Sequence, residues 1–310
     1  MPLPEHLKRY AVEKILKLSC KLPSQYHLPV SVLRQSMTLV SKSFPLRKEV
    51  VISTVQLGRH LAERHMLDSH GKPSKVILHI HGGVFFLGGP QTHRGLANQI
   101  AAQTGATVYV LDYPLAPEQP YPAAIYAVKE AYMALIQAGH NARDIVISGD
   151  SCGGNLALAA VIALRDEKII LPAALILMSP FLDLTLSGES MQMNQKLDAM
   201  LNRELLQQGI EYYVGQQALH NATDNPLAHP ALSPLFADLS NLPPTLIQVG
   251  SKEILLDDST RLKALAEEAG VKVELNIYPG MWHVFQMFSP WIAMAEQAIL
   301  ELRDFIERHD

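Results

Sequence analysis

The chain has 310 residues, 48% apolar and 18% charged, with a net charge of −4. That length fits one large α/β domain or two small ones, and the apolar share allows a sizeable core. The mild acidity gives no reason to expect nucleic acid, and no apolar run reaches the ~18 residues of a membrane span.

Cys20 and Cys152 are the only two cysteines. They cannot make a disulfide framework and favour a reducing, cytoplasmic setting. The start, Met1-Pro2-Leu3-Pro4-Glu5-His6, lacks the basic-then-apolar pattern of a secretory signal.

Residues 5–22 place Leu7, Tyr10, Ala11, Ile15, Leu16 and Leu18 at helical spacing, and Pro23 should end that helix. A second amphipathic helix is expected over about 30–41. Strand-like runs follow at 49–56 and about 59–66, then at 75–81, ending in Gly82-Gly83-Val84-Phe85-Phe86. From there helices and strands alternate. Helices are expected at 93–104, 122–138, 258–269 and about 290–308. Strands are expected at 107–112, 145–147, 173–178, 245–249 and 271–277. Such alternation predicts a mostly parallel sheet covered by helices on both faces.

The stretch 183–235 breaks the rhythm. It is polar and Met/Gln-rich, and carries one helix at about 203–214. As an insertion on the side where strand C-termini point, it lies where open α/β sheets bind ligands. It reads as part of a helical cap, together with residues 1–45, on a single domain spanning 1–310.

The chemistry centres on Gly149-Asp150-Ser151-Cys152-Gly153. This is G-x-S-x-G between a buried strand and an Ala-rich helix, the pattern that lifts a nucleophilic serine clear of the sheet. A serine needs a base and a group to orient it. In this fold class the order is serine, acid, histidine. Glu253 lies in the turn after the strand ending at Val249, and His283 in the turn after the strand ending at Ile277. Asp257 is the alternative acid. With Asp258, however, it comes where a helix should begin and where carboxylates serve as caps. The oxyanion of acyl transfer needs backbone donors. Cys152 supplies the N–H after the nucleophile, and the Gly82-Gly83-Val84 turn supplies the rest.

Other readings are weaker. His79 and His81 lie two apart on a strand, but no third ligand is near in sequence, so no metal is expected. Gly88-Gly89 lacks the Lys-Ser/Thr of a phosphate loop. Asp112 and Glu118 should brace the loop beside the site. Cys152 reads as a small apolar helix residue.

Taken together, His81-Gly82-Gly83-Val84-Phe85, Asp112-Tyr113-Pro114-Leu115-Ala116-Pro117-Glu118, Gly149-Asp150-Ser151-Cys152-Gly153-Gly154 and Gly280-Met281-Trp282-His283 resemble the bacterial hormone-sensitive-lipase-like esterases. The resemblance runs over roughly residues 45–308. It implies an α/β-hydrolase fold with a helical cap, no cofactor, and short-chain carboxylic esters as substrates. Many family members form dimers. Strand 271–277 reads as an edge, so a homodimer through it is expected. The chain departs from the family in three places. The family's third turn glycine is Val84, the alanine after the serine is Cys152, and the acid position of Asp-Pro-Leu-x-Asp is Glu253. A lactone hydrolase would use the same triad. A non-catalytic ligand receptor on this fold would be expected to lack a triad member.

Overall fold

The computed structural model describes residues 3–22, 28–68, 75–215 and 225–309. Pro23 and parts of both expected cap segments fall outside them. Eight strands form one sheet: β1 (Val50–Leu57), β2 (His60–Leu67), β3 (Val76–Ile80), β4 (Thr107–Leu111), β5 (Ile145–Asp150), β6 (Ala174–Met178), β7 (Thr245–Gly250) and β8 (Val273–Tyr278). Their order is β1-β2-β4-β3-β5-β6-β7-β8. The β1–β2 hairpin and the β2–β4 pair are antiparallel, and every later pair is parallel.

The helices are α1 (Glu5–Leu16), α2 (Val30–Ser41), α3 (Pro90–Thr104), α4 (Ala123–Gln137), α5 (Cys152–Asp166), α6 (Ser190–Met193), α7 (Arg203–Val214), α8 (Leu256–Glu268) and α9 (Ala293–Arg308). α1 runs on into a π-helical turn over Lys17–Lys21.

Both faces of the central strands are buried, which is why they read as unbroken apolar runs. The two-residue period of a strand sorts their side chains between two cores. Leu78, Leu111, Ile147, Leu177 and Ile247 join the core that holds α4, α5 and α8. Ile77, Val110, Val146, Ile176 and Leu246 join the other core, with α3 and α9.

The first core also takes in Leu186, Leu206, Ile210 and Tyr213 from the insertion. Among the described residues that segment shares the sheet's core. A third cluster joins Leu16 of α1 and Ala199 of the insertion to Met281 and Trp282, beside His283. Both N-terminal and inserted segments thus press on the turn that carries the histidine. β8 lies at the sheet edge and starts at Val273, two residues later than the apolar alternation suggests. Val271 instead closes the end of α8 through its N–H to Ala266 O.

Candidate active site

Ser151 stands between β5 and α5 with φ 55° and ψ −127°. This is a sparsely populated conformation for a residue with a side chain, and such strain persists only where the surroundings enforce it. The enforcement is visible at the flanking glycines. A Cβ on Gly149 would lie 2.3 Å from Gly153 O, and one on Gly153 would lie 2.0 Å from Ile80 O. Only glycine permits so tight a turn. The Ser151 backbone is fastened on both sides, its N–H donating to Met178 O at 2.9 Å and its carbonyl accepting from Phe181 N–H at 3.0 Å.

Glu253 and His283 come together from the ends of β7 and β8. His283 Nδ1 lies 2.8 Å from Glu253 Oε2. Both side chains are buried, and Glu253 has no exposed surface. The other carboxylate oxygen accepts from Ser179 Oγ at 2.8 Å and from the Gly250 N–H. Burial opposes charge on His283. The hydrogen bond and negative charge of Glu253 outweigh it and hold the imidazole pKa above its ordinary 6.5.

Asp257 and Asp258 do not meet the histidine. They sit in the first turn of α8 but make no cap there. Instead Asp257 Oδ2 accepts from Ser190 N–H at 2.8 Å. Asp258 Oδ2 accepts from Leu182 and Asp183 N–H at 2.6 and 3.0 Å. The expectation that these carboxylates cap their own helix is therefore corrected. The chain from Leu182 into the insertion folds back over α8 and its N–H groups reach them first. Burial pushes the Asp258 carboxyl up to about 7.

The turn after β3 lies against the elbow. A Cβ on Gly82 would fall 2.3 Å from Asp150 Oδ2 and 3.0 Å from Ser151 Cβ. The Gly82 N–H is engaged, donating to Asp150 Oδ1 at 3.1 Å. Gly82 therefore bears on the site by leaving room, with its donor already committed. Val84 and Phe85 follow with φ 53° and 66°. Phe85 N–H donates to Cys152 Sγ at 3.1 Å. Burial pushes that thiol up to about 12, so it is a neutral acceptor that pins the turn. Sequence reasoning gave the Cys152 side chain only a packing role and missed this bond.

It also missed the anchor beneath the turn. Asp150, fully enclosed, lies 3.1 Å from His79 Nε2 and 3.3 Å from His93 Nε2. Burial works against its charge, but the two imidazoles and their hydrogen bonds hold the carboxyl well below the usual carboxylate range. His79 Nδ1 is fixed by Ser148 Oγ at 2.8 Å, its neighbour in the β3–β5 register. The signal was the strand alternation Ser148-x-Asp150, readable only once β3 is known to pair with β5. His81 diverges from His79, bonding Gly82 O at 2.8 Å and stacking on Tyr113 at 4.2 Å. Glu118 does brace the neighbouring loop, through Arg34 of α2, whose guanidinium also reaches Phe86 O and Ala116 O. Asp112 is more exposed than its neighbours, with its N–H on Leu61 O.

Insertion and acid turn are tied directly. Asn194 Nδ2 donates to Glu253 O at 2.8 Å, and Asp198 Oδ2 accepts from Ile254 N–H at 3.0 Å. A strained serine after one parallel strand, with a buried carboxylate–imidazole couple after two later ones, defines a hydrolase of the nucleophile-elbow class.

Comparison with known proteins agrees. Residues 77–287 match the family described by the α/β-hydrolase fold. A protein of Acinetobacter venetianus described as an esterase is 46% identical over 298 residues, which are 96% of this chain and 95% of that one. An acetyl-hydrolase of Streptomyces hygroscopicus is 38% identical over 225 residues, 73% of each chain. A crystal structure titled as an esterase from the bacterial hormone-sensitive lipase family superimposes with a TM-score of 0.91 at 32% identity. It covers 99% of both chains. The chain belongs to the α/β-hydrolase family, in its bacterial hormone-sensitive-lipase branch. Among the described residues no helix is long and apolar enough to cross a membrane.

Proposed function

We propose that this protein hydrolyses short-chain carboxylic esters through an acyl-enzyme on Ser151. Its class, carboxylic ester hydrolase, follows from its family and its esterase relatives. The observation that carries the finer reading is the buried 2.8 Å contact of His283 Nδ1 with Glu253 Oε2. It leaves Nε2 as the imidazole nitrogen free to accept a proton.

The steps follow from that geometry. Ser151 Oγ attacks the ester carbonyl carbon while His283 Nε2 takes its proton. Glu253 holds the tautomer and stabilises the imidazolium. The tetrahedral oxyanion is met by the N–H groups of Gly83, Val84 and Cys152. Gly82 serves only to let the substrate oxygen approach. The imidazolium returns its proton to the leaving alkoxide, and the alcohol departs. Water, deprotonated by the same nitrogen, then attacks the acyl carbon and regenerates Ser151.

Residues 1–45 and 183–235 form the cap of this single-domain enzyme, and their shared packing around Trp282 supports that reading. The free thiols of Cys20 and Cys152 support a cytoplasmic setting. The acetyl-hydrolase relative supports a small acyl group.

The test is Ser151→Ala, assayed on p-nitrophenyl butyrate. It should remove nearly all hydrolysis while the melting temperature holds. Retention of more than about a hundredth of kcat would exclude Ser151 as nucleophile, since oxyanion hole and binding alone leave far less.

A further inference from the structure

We propose that Gly209 and Val84 form a size-matched contact through which cap helix α7 sets the position of the oxyanion turn. Gly209 is then a positioning residue for ester hydrolysis. This rests on the Ser151 reading above.

α7 presents Gly209, Tyr212 and Tyr213 on one face, at i, i+3 and i+4. Each meets one residue of the turn. Tyr213 stacks on Phe85, with centroids 4.0 Å apart and planes 10° from parallel. Tyr212 meets Phe86 edge-on at 5.1 Å. Gly209 faces Val84 so closely that a Cβ there would lie 2.4 Å from Val84 Cγ1 and 2.5 Å from Val84 O. The second of these atoms is backbone and cannot swing aside.

The turn is a place where such contact matters. Val84 and Phe85 both hold left-handed φ, an arrangement unfavourable for a β-branched residue and stable only under outside restraint. Part of the restraint comes from beneath, through Cys152 Sγ. More comes from the Ala116 N–H on Phe85 O at 3.0 Å, and from the cap through Arg34 Nε on Phe86 O at 2.8 Å and the α7 face. Val84 fills the space here, and the helix opposite yields it at Gly209. Oxyanion donors act only within about 2.7–3.1 Å of the developing charge. A displacement of a few tenths of an ångström in this turn therefore reads out directly as lost transition-state stabilisation.

The experiment compares Gly209→Ala, Val84→Gly and the double variant on p-nitrophenyl butyrate, with melting temperatures. Gly209→Ala should lower kcat about tenfold with KM within about twofold, the split expected of an interaction felt mainly in the transition state. Its melting temperature should not fall for any reason of helix propensity, since alanine is the better helix former. The double variant should return to the kcat of Val84→Gly alone, because the added methyl then has room. Wild-type-like kcat in Gly209→Ala, or a loss undiminished in the double variant, overturns the proposal. If Gly209→Ala does not fold, the double variant carries the test: folded and active it supports the contact, unfolded it overturns it. Fluorophosphonate labelling of wild-type Ser151 separates this proposal from its premise. No label overturns the nucleophile, whereas label together with unchanged kinetics in Gly209→Ala overturns only the contact.

Discussion

Ser179 Oγ lies 2.8 Å from Glu253 Oε1 and receives the Val284 N–H at 3.0 Å. One buried hydroxyl at the end of β6 thus spans the acid and the turn that carries the base. Ser179 itself holds a left-handed φ of 49° and donates its N–H to Gln248 O at 2.7 Å. Ser179→Ala should loosen the Glu253–His283 couple while leaving both groups present. Removing the hydroxyl takes one of its two donors from the buried Glu253 Oε1 and strands the Val284 N–H, worth about 1–3 kcal/mol of stability. Steady-state kinetics with calorimetry should find kcat down about tenfold beside that loss. Unchanged values of both would show that the bridge is idle.

Glu253 and Asp257 are separated by what they touch. Glu253→Gln keeps the shape but favours the wrong imidazole tautomer, so kcat should fall by roughly 10³–10⁴ with little change in melting temperature. Asp257→Asn weakens the tie to Ser190 and should cost about 1 kcal/mol of stability with activity preserved. A reversal of the two phenotypes would transfer the triad role to Asp257.

On the proposed mechanism activity should fall in acid, because a protonated His283 could not accept the serine proton. Burial pulls its pKa down, but Glu253 pulls it up further. The midpoint of the acid limb in kcat/KM should therefore lie above the ~6.5 of a free imidazole. The same sign holds for stability: the couple's contribution is complete below the unfolded pKa and is lost as pH rises through the folded one. A pH–rate profile flat from about pH 8 to about pH 5 would remove His283 from the mechanism.

Acyl chains should be short. Val84 and Phe85 are both buried at the turn, with Tyr213 stacked over Phe85, and on the proposed mechanism this rigid turn borders the acyl group. Turnover of p-nitrophenyl butyrate should exceed that of the palmitate. The opposite order would mean that the acyl group lies elsewhere.

β8 ends the sheet, and its Ile277 is 44% exposed. An open edge with an exposed apolar side chain invites pairing. Two copies joined along β8 should give twice the 34.2 kDa chain mass in light scattering at micromolar concentration. A charged substitution, Ile277→Lys, should return the chain to a monomer. A wild-type monomer under those conditions excludes this edge as the interface.

The sequence by itself determined the order of elements, the elbow around Ser151 and the candidate triad. Those features are local. In the G-x-S-x-G turn Gly149 is crowded by the nearby Gly153 O, and strand alternation is dictated by a two-residue period. Tertiary structure alone decided which groups hold these parts in place. Asp150 takes the Gly82 N–H because β3 pairs with β5 in the register that brings His79 opposite Ser148. Ser179 reaches Glu253 because β6 runs beside β7. Asp257 and Asp258 turn to the insertion and away from their own helix because that segment returns across α8. Each of these contacts joins residues far apart in the chain, and no local spacing records which strand will be whose neighbour.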